Sequence, residues 1–160
     1  MADDARPVVV AYDGSAAAHE ALTVSARLFG NHRLVVVTLW EPAFAAQLAA
    51  FGTGMPWVAM PPSGEGVLAT ERAQREHASA IADRGVEIVR KEGAVAEAAP
   101  GAAASDIAET IAAIARDNDA CAVVVGSRGL GAVKAELLGS TSRGVLRAST
   151  LPVLVVTDHR

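Results

Sequence analysis

"CAVVVGSRGLGAVKAELLGSTSRG", Cys121 to Gly144, decides the fold. It opens as a short apolar run rich in valine, the pattern of a buried strand. It then passes into glycine, serine and threonine, with Arg128, Lys134 and Arg143 among them. Such a segment builds no core. It exposes backbone N–H groups to something negatively charged, and a helix over roughly Ser140 to Ser149 follows it. A strand that runs through a glycine-rich loop into a helix suits a parallel sheet, whose ligands bind beyond the carboxyl ends of the strands.

The rest of the chain repeats the alternation. "PVVVAYDGS" (Pro7 to Ser15) reads as a first strand over Val8 to Tyr12, with Asp13 or Ser15 placed to cap the next helix. In that helix Ala18, Ala21, Leu22, Ser25, Leu28 and Phe29 recur at helical spacing, and Gly30-Asn31 supplies a stop. Arg33 to Trp40 is the second strand. Glu41 to Ala69 has no sustained period and reads as a long loop, with a short helix expected within "AFAAQLAAF" (Ala43 to Phe51). A helix from about Thr70 towards Glu92 carries Gly85 in its interior, which weakens it. The alternative makes Val86 to Val89 a strand. Ala94 to Ala99 fits only as an edge strand. Ser105 or Asp106 opens the following helix, where Asp106 and Glu109 form a D-x-x-E capping pattern and Ile107, Ile111, Ile114 and Ala115 form a stripe. Cys121 to Val125 is the fourth strand and Leu151 to Thr157 the fifth.

The chain has 160 residues, the size of one ordinary domain, expected here to span 1–160. It is 51% hydrophobic but only 4% aromatic, which favours an aliphatic core between a parallel sheet and its helices. A formal charge of −4 leaves no electrostatic footprint for nucleic acid or an anionic membrane. With Cys121 as the one cysteine, an internal disulfide and a cysteine zinc cluster are excluded. "MADDARP" lacks the apolar stretch of a signal peptide, and no run is long enough for a membrane helix, so a cytoplasmic domain is expected.

Two common phosphate loops fail letter by letter. Gly126 and Gly131 have P-loop spacing, but Ala132 and Val133 stand where lysine and serine or threonine are needed. A dinucleotide-type G-x-G-x-x-G from Gly129 and Gly131 ends on Lys134, and it follows the wrong strand. What remains is Gly126-x2-Gly129-x9-Gly139-Ser140. With "VVVAYDGS", "LLGSTSRGVL" and "LPVLVV", this resembles the nucleotide-binding universal stress proteins over nearly the whole chain.

The resemblance implies a doubly wound α/β domain: a five-stranded parallel sheet, order 3-2-1-4-5, with helices on both faces. It implies ATP as ligand, with AMP and cyclic AMP left open, and Mg²⁺ arriving only with ATP. The adenine would lie against the backbone of Ala11, Tyr12 and Asp13 and of Leu39. The ribose and phosphates would meet Val125, Gly126, Arg128, Gly129, Gly139, Ser140, Thr141 and Ser142. Physical chemistry agrees: glycines let backbone approach a ligand, a helix N-terminus favours an anion, and hydroxyls and Arg128 add donors. Hydrolysis needs a base near the terminal phosphate, and Glu136 is the one acidic residue between Gly126 and Ser142. Binding is therefore expected, with a slow ATPase or phosphotransferase, or a nucleotide-free dimerisation module, as alternatives. The resemblance also implies a homodimer through Leu151 to Thr157. His19, His32, His77 and His159 lack metal-ligand spacing and read as solvated surface residues, and Cys121 reads as a buried core thiol. Trp40 and Trp57 read either as a cover for the adenine or as packing residues beneath the long loop, with packing preferred.

Overall fold

The computed structural model describes residues 6–42, 64–103, 106–128 and 138–157. Strands β1 (Val8–Ala11), β2 (Leu34–Trp40), β3 (Ala96–Ala102), β4 (Ala122–Gly126) and β5 (Val153–Val156) alternate with helices. These are α1 (Ala16–Leu28), α2 (Gly64–Lys91), α3 (Ile107–Asp117) and α4 (Ser140–Ala148). The sheet order is β3-β2-β1-β4-β5 and every pairing is parallel.

Alternate side chains of each central strand enter two separate cores. Val8, Val10, Leu34 and Val36 pack with Ala21 and Leu22 of α1 and Val86 and Val89 of α2. Val9, Val35, Val37, Val123 and Val125 face Ile111 and Ala115 of α3 and Val145 of α4. Both faces are dry, so the central strands need valine at every position rather than at every second one. The winding reverses between β1 and β4, and the carboxyl ends of those strands diverge there.

Several expected boundaries move. Helix α2 begins at Gly64, so Gly64 to Ala69 belongs to a helix and the expected long loop is shorter by that much. Leu68, Ala69 and Thr70 are exposed, Leu68 by 66%, and exposed positions of a helix need no apolar period. Ala43 to Phe51 and Trp57 lie outside the described residues. Val86 to Val89 are helical, which closes the alternative of a strand there. Gly85 is a packing glycine: a Cβ on it would sit 2.8 Å from both the Tyr12 ring and Val36 Cγ1. Strand β3 starts two residues late and runs through Pro100 and Gly101. It lies at the sheet edge, where a proline costs no ladder bond on its open side.

Cys121 corrects another expectation. It stands just before β4, half-buried, with Sγ 3.6 Å from the Arg6 carbonyl and 3.7 Å from His32 Nδ1. It is therefore a rim residue rather than a core thiol. His32 is half-buried too, its Nδ1 2.8 Å from the Arg6 carbonyl, whereas His19 and His77 are exposed. Among the described residues no group of three histidine, cysteine, aspartate or glutamate side chains could hold a metal, and no helix is long and apolar enough to cross a membrane.

Candidate functional site

A cavity of about 370 Å³ opens at the carboxyl ends of β1, β2 and β4. That volume falls within the range of small-molecule sites. On one side it is lined by Ala11, Tyr12 and Asp13 after β1 and by Val37 and Leu39 of β2. On the other stand Val125, Gly126 and Arg128 after β4, and Gly139, Ser140, Thr141 and Ser142 at the start of α4. All the site residues named from the sequence thus meet around one cavity, except Gly129, which lies outside the described residues. Ala18 of α1 and Ile107 and Ile111 of α3 close its apolar wall. The sequence presented the two isoleucines as core stripe only.

The two halves are held by specific hydrogen bonds. The Tyr12 N–H donates to the Val37 carbonyl at 2.8 Å, and the buried Thr38 hydroxyl donates to the Tyr12 carbonyl at 2.8 Å. The Tyr12 backbone is thereby tied to β2. Asp13 Oδ1 accepts the Ser15 N–H at 2.9 Å, which turns the chain from β1 into α1. The Ser127 carbonyl accepts the Gly139 N–H at 2.7 Å and the Ser142 hydroxyl at 3.2 Å. Ser127 and Gly139, on the two sides of the motif's nine-residue spacer, are thereby held together. The buried Ser142 hydroxyl also stands 3.1 Å from the Gly139 carbonyl, so its one proton is shared between the two acceptors. The hydroxyl thus ties the start of α4 to the end of β4.

The glycines of the motif differ in what they do. A Cβ on Gly126 would lie 2.7 Å from the Ala17 carbonyl carbon and 2.8 Å from the Ala18 nitrogen. Its bare backbone lets α1 approach β4. A Cβ on Gly139 would meet nothing closer than 3.4 Å. The protein itself does not demand glycine there.

The helix ends differ too. Ser15 caps α1 and Asp106 caps α3 through side-chain oxygens, whereas Gly139, the cap of α4, has no side chain to offer. The first N–H groups of α4 therefore face the cavity with their positive dipole end. Arg128 adds a cation on the same wall, and Asp13 a carboxylate opposite. The Tyr12 phenol is held above its ordinary pKa, chiefly by burial; nearby Arg84 opposes the shift and Asp13 adds to it. Trp40 belongs elsewhere, to a groove with Pro42, Leu68, Glu71 and Arg72.

Fold and site together define a doubly wound α/β protein with a small-molecule cavity where the winding reverses. The sequence matches the Universal stress protein family over residues 5–157, and the chain belongs to that family. It is 33% identical over 155 residues to "Universal stress protein in QAH/OAS sulfhydrylase 3'region" of Thermus aquaticus, covering 94% of this chain and 98% of that one. The structure of the universal stress protein from Archaeoglobus fulgidus in complex with dAMP is similar, with a TM-score of 0.62 and 23% identity. That match covers 94% of this chain and 96% of the other. A universal stress protein crystallised with cAMP gives a TM-score of 0.61 at 22% identity, over 96% and 97% of the two chains.

Proposed function

We propose that this chain is a regulatory adenine-nucleotide-binding protein of the stress response, with ATP as its ligand and residues 1–160 acting as one unit. One observation carries the reading: the cavity joins the β1 end to a helix N-terminus that has no side-chain cap, through the G-2x-G-9x-G-S spacing. The apolar wall suits a base. The open N–H groups of α4, with Ser140, Thr141 and Arg128 beside them, suit an anion. Structural relatives described with dAMP and cAMP support an adenine nucleotide. Mg²⁺ would enter as the counter-ion of ATP.

Asp13 is the one carboxylate among the described cavity residues, and it already accepts the Ser15 N–H. Such a site favours holding a nucleotide over hydrolysing it. We further propose a cytoplasmic homodimer paired through Leu151 to Thr157. Strand β5 is an edge strand whose Val153, Leu154 and Val155 are only half-buried, and a second copy would cover them. Calorimetric titration with ATP, AMP and cyclic AMP tests the ligand, and saturable ATP binding is expected. Phosphate release at about 1 s⁻¹ or faster would replace the binding reading with an enzyme.

A further inference from the structure

Ser15 does not line the cavity, yet it joins the cavity's two halves. Its hydroxyl accepts the Ala18 N–H at 3.2 Å, capping α1, and donates to the Arg128 carbonyl at 3.2 Å across 113 positions of sequence. The residue is 8% exposed, so neither bond competes freely with water. Arg128 follows Ser127, whose N–H donates to the Val156 carbonyl at 2.7 Å and whose own carbonyl holds Gly139. The segment that brings Arg128 and the α4 N-terminus to the cavity is therefore held by β5 on one side. Ser15 holds it on the other.

We infer that Ser15 is a positioning residue for the phosphate side of the site, acting through the Arg128 carbonyl; the inference rests on the adenine-nucleotide reading above. A hydroxyl suits both bonds because it donates and accepts at once. Aspartate would cap α1 equally well but has no proton to give the Arg128 carbonyl, so capping alone does not account for a hydroxyl here. Removing it leaves the 126–128 backbone against α1 only through the packing of Gly126, and Arg128 and the Gly139 amide lose their shared register. On the base-binding side Asp13 accepts the backbone N–H of Ser15, which glycine keeps, and Tyr12 is held by Val37 and Thr38, so that side keeps its geometry.

Ser15→Gly separates the two roles, because glycine at a helix cap costs only a few tenths of a kcal/mol relative to serine. ATP, AMP and adenosine are titrated calorimetrically into the unsubstituted protein and into Ser15→Gly, with thermal unfolding as the control for folding. ATP and AMP affinity should fall about tenfold, the effect of one hydrogen bond at the upper end of its ordinary net strength. Adenosine affinity should change less than about twofold, and Ser15→Thr, which keeps the hydroxyl, should bind ATP as the unsubstituted protein does. Unchanged ATP affinity in Ser15→Gly overturns the role of Ser15, and so does an equal loss of ATP and adenosine, the mark of a general structural defect. If the unsubstituted protein binds none of the three ligands, the nucleotide reading itself falls, and this inference with it.

Discussion

Two alanine substitutions within one motif should have opposite consequences. In Gly126→Ala the new Cβ meets backbone atoms of α1 at 2.7 to 2.9 Å, against the roughly 3.5–4.0 Å of a comfortable carbon contact. Neither partner is the free end of a side chain, so β4 and α1 must move apart. Overpacking of this kind costs about 1–3 kcal/mol. In a chain of this length each kcal/mol lowers the unfolding temperature by roughly 2–4 °C, so a drop of about 2–12 °C is expected. In Gly139→Ala the nearest atoms stand at 3.4 to 3.6 Å and the backbone lies at φ −60°, where alanine is unstrained. Alanine is a poorer cap than glycine, but it also reduces the entropy of the unfolded chain, and the two effects nearly cancel. In the proposed binding mode its methyl group comes between phosphate and the α4 amides, so ATP affinity should fall by about tenfold or more. Differential scanning calorimetry and ATP titration on both variants separate the cases. A stable Gly126→Ala beside a destabilised Gly139→Ala would refute the division of roles, and so would ATP binding to Gly139→Ala with full affinity.

Ser25 lies fully buried in α1 with no hydrogen-bond partner for its hydroxyl, so Ser25→Ala should raise the unfolding free energy by about 1 kcal/mol in urea titration. A loss of stability would show that the hydroxyl is bonded. Because burial raises the Tyr12 pKa above its ordinary 10.0, the unfolded chain ionises this phenol first, and its contribution to stability is lost as pH rises from that value through the folded pKa. Tyr12→Phe should therefore lose less stability between about pH 9 and pH 11 than the unsubstituted protein, and parallel curves would contradict this. Val155→Lys places a charge on the open edge of β5, so light scattering should register a dimer for the unsubstituted protein and a monomer for the variant. An unperturbed dimer would exclude this strand as the interface.

The sequence revealed most where burial is two-sided. Val8 to Val10, Leu34 to Val37 and Val123 to Val125 are dry on both faces, so their apolar runs are continuous and bounded by turn residues. Strand β3 was displaced because an edge position tolerates alanine, proline and glycine, and none of these marks a strand. The start of α2 was missed because an exposed helix needs no stripe. In the site, the glycine spacing disclosed which segments converge. It could not disclose that Gly126 serves α1, that the Ser142 hydroxyl turns back to Ser127 and Gly139, or that Ser15 reaches Arg128. Those depend on distances between segments far apart in the chain, which no local pattern encodes.

The most direct test of the nucleotide site is a residue-by-residue map of backbone amide chemical shifts with and without saturating ATP. The largest changes should fall on Gly139, Ser140 and Thr141 and on Tyr12 and Asp13, on opposite sides of the one cavity. Changes centred instead on the groove between Trp40 and Leu68, or no changes at all, would contradict it.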